Sequence, residues 1–243
     1  MSGARRKHLE PAWLLHHRPW SDTSRIVDLM TRDHGRVTLF AHGARRPKSP
    51  HRALLRPFVP LLVSWSGRAD GGTLTAAEAG GAPPTLAPQR LISGFYLNEL
   101  LMKLLPKEDR HEALYEAYGE ALAALACAEE QAALRGFERV LLDELGYGLE
   151  LAHEAGSRRP VEADRYYHFE AGRGVYAVRE GDAAAESHVG RAVLAVARGE
   201  LGAADAQRAA RGIFGAAIAH CLEGRGLASR EVMLAVRRRG REA

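Results

Sequence analysis

The sequence predicts an α+β chain in two parts: a small five-stranded β-barrel, then an α-helical domain carrying a small β-hairpin. Three features lead there. Residues 1–80 hold five short runs rich in β-branched, aromatic and leucine residues, parted by turn clusters with no helical repeat between them. From residue 89 onward apolar residues recur near 3.6 spacing instead. Between the two, Gly80-Gly81-Ala82-Pro83-Pro84 and Pro88 form the clearest linker in the chain. The expected boundaries are therefore a barrel over 1–80, a linker over 81–88 and a helical domain over 89–243.

The strands can be taken in order. Pro11–His17, around Trp13-Leu14-Leu15, is the first candidate, and the turn cluster Ser21-Asp22-Thr23-Ser24 follows it. Arg25–Met30 is the second and Arg36–Ala41 the third, joined by the turn Asp33-His34-Gly35. In the third, Val37, Leu39 and Ala41 fall on one face, with Arg36, Thr38, Phe40 and His42 on the other. Leu55–Trp65 is the fourth, with Pro57 and Pro60 requiring a bulge or an edge. Thr73–Glu78 is the fifth, reached through the glycine-rich turn 67–72. Five such strands fit an OB-fold, and pattern alone fits an SH3-like barrel equally well.

The helical part reads as helices over Gln89–Leu105, with Leu91, Phe95, Leu97, Leu101 and Leu104 inward, then His111–Ala128 and Glu130–Leu145. A β-hairpin is expected near 166–178, from Tyr166–Glu170 and Gly174–Val178. Helices resume at His188–Ala197 and Gln207–Leu222, and a last helix opens at Ser229 as N-cap.

Charge is segregated along the chain. Residues 1–80 carry 13 Lys/Arg against 6 Asp/Glu, residues 81–206 carry 13 against 21, and residues 207–243 carry 8 against 3. Two basic ends thus flank an acidic middle, and basic regions of this size attract polyanions. The densest cations are Arg45, Arg46, Lys48, Arg52 and Arg56, in a tract broken by Gly43, Pro47 and Pro50 directly after the third strand. Together with Arg36 and Phe40 on that strand's polar face, they suit a nucleic-acid surface. Read singly, the tract also suits a solvated loop, and Phe40 also suits the core. The arginine run 237–241 suits either a polyanion-binding arm or a solubilising end.

Other chemistries are missing from the sequence. It has no G-x-x-x-x-G-K-[ST] loop, no G-x-S-x-G element and no Cys/His constellation at catalytic spacing, so a non-enzymatic role without cofactor is expected. His16-His17 on a strand point to opposite faces, which makes a poor metal site. Cys127 and Cys221 are expected to be buried free thiols in a reducing cytoplasm. No apolar run is long enough to span a bilayer.

Several phrases carry a family resemblance. Leu15-His16-His17-Arg18-Pro19-Trp20-Ser21-Asp22-Thr23-Ser24, Thr31-Arg32-Asp33-His34-Gly35-Arg36, Ala41-His42-Gly43-Ala44-Arg45-Arg46, Leu54-Leu55-Arg56-Pro57-Phe58 and Ala77-Glu78 resemble the RecO family of bacterial recombination mediators. So do Gly94-Phe95-Tyr96-Leu97-Asn98-Glu99-Leu100-Leu101, the stretch Leu134-Arg135-Gly136-Phe137-Glu138 to Leu145-Gly146-Tyr147-Gly148, and Leu227-Ala228-Ser229-Arg230-Glu231. The resemblance implies an N-terminal OB-fold, binding of single- and double-stranded DNA, annealing of complementary strands, and RecA loading together with RecR. It also implies that the helical domain binds the acidic, hydrophobic C-terminal tail of the single-stranded-DNA-binding protein. Arg135 matches the position of the cation that would hold the tail's terminal carboxylate, with Phe137 beside it; an Arg135–Glu138 pair within the helix is the alternative. The chain departs from the family's pattern at His42, where lysine is common, at Arg56, where glutamine is common, and at Gly136, where arginine is frequent. The four-cysteine zinc site of some members cannot form, because no cysteine lies between 128 and 220 and His153 alone cannot replace four ligands. A protein-interaction adaptor whose barrel touches RNA or protein is the alternative function.

Overall fold

The computed structural model describes residues 6–127, 130–178 and 187–242. Five strands, β1 (Lys7–Pro19), β2 (Arg25–Thr31), β3 (Gly35–Ala41), β4 (Pro60–Ser66) and β5 (Asp70–Ala79), close a barrel in the order β1-β2-β3-β5-β4. All pairings are antiparallel except β3 with β5. A parallel pair cannot be joined by a hairpin, so the chain must cross the barrel between them. It does so through a short helix, α1 (Pro50–Leu54), and through β4. The barrel is thus OB-like. The strand expected over Leu55–Trp65 begins only at Pro60, and its proline problem vanishes because Pro57 lies before it, and Pro60 occupies its first position.

Alternation fills the barrel. Ala12, Leu14, Val27, Leu29, Val37, Leu39, Leu61, Val63, Trp65 and Leu74 point inward as one buried cluster. Trp13, Leu15 and Met30, at the complementary positions, are buried as well. Period two alone would leave them in water; helices cover that side.

Six further helices follow: α2 (Pro88–Leu104), α3 (Glu112–Cys127), α4 (Glu130–Glu144), α5 (Gly190–Arg198), α6 (Ala204–Cys221) and α7 (Ala228–Glu242). The chain divides into two compact units, one of residues 1–128 and 227–243, the other of 129–226. The first therefore holds the barrel together with α2, α3 and α7.

In that unit one polar chain ties helices to strands. A bulge in β1 breaks its register with β2 between Leu14 and His16, leaving Leu15 outside the ladder. The Leu15 carbonyl accepts from Asn98 Nδ2 at 2.8 Å, and Asn98 Oδ1 accepts from the Tyr118 hydroxyl at 2.6 Å. Asn98 and Tyr118 are buried, and burial raises the Tyr118 pKa far above the ordinary phenol range, so it stays a donor. Trp13 meets the Tyr118 ring edge-on at 5.5 Å. Phe58, at a positive φ of 67°, lays its ring where a Cβ on Gly94 of α2 would come within 2.8 Å, so a larger residue there would have to displace the ring. The stripe that α2 buries is accordingly Tyr96, Leu97, Leu100 and Leu101 with Gly94 and Asn98; the expected inward residues Leu91 and Phe95 are exposed.

The connection from α2 to α3 docks on the β2–β3 turn. Gly35 has φ of +62°, and a Cβ there would lie 1.7 Å from the Asp109 carbonyl oxygen. Thr31 Oγ1 donates to the Gly35 carbonyl at 2.8 Å and accepts from His34 N–H at 3.2 Å. Arg32 pairs with Glu112 at 2.9 Å, and Lys107 with Asp70 at 2.7 Å.

Helix α7 begins at Ala228, so Ser229 is not its N-cap as expected. Instead the Glu99 carboxylate of α2 accepts from the N–H groups of Ala228 and Ser229, both at 2.9 Å, and from Ser229 Oγ at 2.5 Å. A carboxylate at a helix N-terminus satisfies orphan donors and complements the helix dipole. Partial burial opposes ionisation of Glu99, but the bonds from Ser229, Lys103 and Ala228 outweigh it and bring its pKa from 4.5 to about 2.

The second unit packs α4, α5 and α6 with a sheet of order β7-β6-β8, formed by β6 (Tyr166–Glu170), β7 (Gly174–Ala177) and β8 (His188–Val189). The expected hairpin is present and gains β8 as a third strand. Phe137, Leu141, Val193, Val196, Ile213, Phe214 and Tyr167 are buried there. Cys221 is buried and Cys127 is exposed, correcting the expectation that both lie inside; both are free. No helix among the described residues is long and apolar enough to cross a membrane.

Two outcomes follow for stability. Gly35→Ala forces a strained φ and a backbone clash, and is expected to cost about 3 kcal/mol in urea unfolding. Glu99→Gln is expected to cost about 1 kcal/mol at pH 7, the worth of a helix cap. Because the folded pKa of Glu99 is depressed, its contribution is present above pH 4.5 and disappears as pH falls toward 2. Wild type and variant should therefore converge in stability over that interval, as thermal melts at stepped pH would read.

Candidate nucleic-acid interface

Strand β3 ends at Ala41 and delivers the chain to a tight loop. There the Arg45 N–H donates to the Thr23 carbonyl at 2.8 Å, that of Arg46 to the Gly43 carbonyl at 3.1 Å and that of Ser49 to the Arg46 carbonyl at 3.0 Å. The backbone is thus fixed while the cationic ends stay at the surface. Arg45, Arg46, Lys48, Arg52 and Arg56 are all exposed, and among the described residues none of these five forms an ion pair. Arg45 Nη1 donates to the Ser21 carbonyl at 2.6 Å, and Arg56 Nε to the Ala53 carbonyl at 2.7 Å. A guanidinium has five donors, so each keeps most of them for an anion.

Arg36 is separate from this group. It stands at the far end of β3, about 17 Å along the strand from Ala41 at ~3.4 Å per residue. Its side chain is half-buried, with Nη1 on Met102 Sδ at 3.9 Å and Nε buried without a hydrogen-bond partner. Burial lowers its pKa, against the opposing pull of Asp28 and Asp70. The structure gives Arg36 a packing environment under α2, unlike the five loop cations.

Phe40 is half-buried on the outer face of β3. Its ring meets Trp20 edge-on at 5.1 Å and stacks on His42 at 6.4 Å with 13° between planes. Trp20 is 59% exposed and His42 is exposed. Sequence reasoning did not single out Trp20 or His42 for this role. The available signals were an aromatic just after Pro19, at the end of β1, and His42 continuing the polar face of β3. Register brings them together: Pro19 pairs with Arg25, and Arg25 with Ala41. The result is an aromatic strip bordered by unpaired cations, able to meet a polyanion that carries flat apolar faces.

The expected peptide anchor looks different. Arg135 is buried and its Nη2 lies 2.7 Å from Glu138 Oε1, one turn along α4, with Glu138 fully buried. Phe137 is buried in the core of its unit. Neither presents itself at the surface as an open carboxylate fork or an apolar groove wall, because the i,i+3 pair occupies the guanidinium and tertiary packing covers both side chains. In the same unit a cleft of about 430 Å³ is lined by Tyr147, His153, Phe169, Arg173, Tyr176 and His220 among others. Arg173 there is engaged, 3.0 Å from Glu170 and over the Tyr176 ring at 5.5 Å. Among the described residues no three His, Cys, Asp or Glu side chains are grouped as metal ligands.

Comparison with known proteins agrees with this layout. Residues 6–81 match the family model for the recombination protein O N terminal, and residues 86–231 that for its C terminal. The DNA repair protein RecO of Nitrosococcus oceani is 46% identical over 194 residues, covering 79% of each chain. That of Aromatoleum aromaticum is 40% identical over 233 residues, 96% of this chain and 98% of the relative. That of Alkalilimnicola ehrlichii is 42% identical over 237 residues, 97% of this chain and 94% of the relative. With two family models in tandem over a barrel and the helices that follow it, and full-length relatives at this level of identity, the chain belongs to the RecO family of DNA repair proteins.

Proposed function

We propose that this chain is a recombination mediator that holds single- and double-stranded DNA on its barrel, anneals complementary strands and, with RecR, helps load RecA onto DNA covered by single-stranded-DNA-binding protein. The observation that carries this reading is the group of five exposed cations without an ion pair, Arg45, Arg46, Lys48, Arg52 and Arg56, on the segment between β3 and β4, whose backbone is held by hydrogen bonds. Such cations bind phosphates irrespective of sequence and displace condensed counterions as they do so. Annealing asks for little more. Base pairing supplies the free energy once charge repulsion between strands is screened, so the role is not enzymatic and needs no cofactor. The site of action is the bacterial cytoplasm, on nucleoid DNA.

The acidic tail of the single-stranded-DNA-binding protein remains a proposed partner of the helical domain. Since Arg135 is engaged by Glu138, its first contribution is to stability, and any part it takes in tail binding requires that pair to open.

If the loop cations hold phosphates, log Kobs for a single strand falls against log salt with a slope of about −3.5 for five contacts. Arg45→Ala/Arg46→Ala should flatten that slope by about 1.4 and weaken single strands and duplexes alike. Fluorescence anisotropy at several salt concentrations reads both. Binding that is immeasurable at low salt, or unchanged in the double variant, would overturn the DNA reading. Arg135→Ala removes the cation that lies 2.7 Å from the buried Glu138 carboxylate and is expected to destabilise the fold by about 3 kcal/mol. An acidic peptide ending in an aromatic residue, titrated against wild type and Arg135→Lys, separates the two roles. Unchanged affinity would remove Arg135 as the anchor.

A further inference from the structure

We infer that Trp20, Phe40 and His42 form a base-stacking strip that makes this rim of the barrel select unpaired strands over duplex. The inference rests on the DNA reading above and goes further, because phosphate contacts alone do not distinguish the two. Both present a charged backbone, but only an unpaired strand can turn the faces of its bases outward.

Three observations support it. The first is exposure: Trp20 is 59% exposed, whereas Trp13 and Trp65 are 9% and 1% exposed. The second is preorganisation. The Trp20 backbone is fixed by its amide N–H bond to the Ser24 carbonyl at 3.1 Å, and its ring makes the edge contact to Phe40, which in turn lies centrally in the sheet between Ile26 of β2 and Thr73 of β5. The ring of His42 lies near-parallel to that of Phe40, 6.4 Å away. Ring faces held in this way need little ordering when a base arrives. The third is charge. Arg45 donates to the carbonyl of Ser21, the residue directly after Trp20, so a guanidinium with donors to spare is anchored in the turn that presents the indole. A flat apolar face next to an unpaired cation complements a nucleotide, with its base on the ring and its phosphate on the guanidinium.

The chain reports on this directly. Trp13 and Trp65 are shielded, so solvent-exposed tryptophan emission comes from Trp20. The experiment titrates the full chain with oligothymidylate and with a hairpin duplex of matched charge, reading anisotropy and tryptophan emission together at fixed low salt. Single strands are expected to quench the exposed emission and duplex to leave it unchanged. Trp20→Ala should weaken single-strand binding about tenfold, or about 1.4 kcal/mol, and duplex binding less than twofold, with the salt slope unaltered. Trp20→Phe should restore most of the affinity, and a thermal melt establishes that each variant is folded. Anisotropy-detected binding of single strands without quenching would overturn the strip, as would equal losses on both forms in Trp20→Ala. In either case Arg45→Ala/Arg46→Ala can still weaken both, leaving the phosphate contacts standing. If wild type binds neither nucleic acid, the DNA reading and the strip fall together.

Discussion

The carbonyl of Leu15 is the point on which the first unit depends. β1 pairs with β2 along one edge and with β4 along the other, which closes the barrel, and the bulge after Leu14 leaves the Leu15 carbonyl without a ladder partner. A buried unpaired carbonyl costs about 1–3 kcal/mol. Asn98 takes it, and Tyr118 fixes the amide of Asn98. The bulge in β1 and the docking of α2 and α3 are therefore one problem with one solution. The exterior apolar residues of β1 can then be buried because helices are held over them.

The same logic accounts for the phrases that relate this chain to its family. Gly35 admits the Asp109 carbonyl, Gly94 admits the Phe58 ring, Asn98 takes the bulge carbonyl and Glu99 caps α7. Each is a joint where another residue type would clash or leave a backbone group without its partner. The departures from the family's pattern noted in the barrel, His42 and Arg56, lie instead on the exposed loop side, where several residue types can meet a phosphate or a base. Joints constrain identity closely, whereas a polyelectrolyte surface constrains charge.

How much of this was legible in the sequence follows from which forces are local. Alternation revealed the barrel interior because β-strand geometry converts period two into faces. The basic tract was legible because charge needs no fold to be counted. Helix α1 was missed because five residues carry no usable period, and Pro50 reads as a breaker although it suits the first turn of a helix. The face of α2 was misjudged because Leu91, Phe95, Tyr96, Leu97, Leu100 and Leu101 surround most of its circumference, and it takes tertiary contacts, Phe58 against Gly94 and Asn98 on the Leu15 carbonyl, to decide which stripe turns inward. Trp20 and Phe40 are 20 residues apart, so their contact exists only through the β1–β2–β3 register. Arg135 and Glu138 are one turn apart, and their pairing was foreseeable; that both are buried is set by tertiary packing.

The two ends of β3 have different surroundings. Its first residue, Gly35, is pinned beneath Asp109, Arg36 packs under α2, and its last residues open into Phe40 and the cationic loop. One end of the strand is thus immobilised by close backbone contact, and the other presents rings and charges on a backbone already held by its own hydrogen bonds. Under the proposed function this division has a consequence for annealing. Phosphate contacts are numerous, individually weak and sensitive to salt, so a strand held by them can shift register while it searches for its complement. A base stacked on a fixed ring leaves that ring once it pairs within a duplex. The rim would then hold what is unpaired and release what has annealed, with no input beyond base pairing itself.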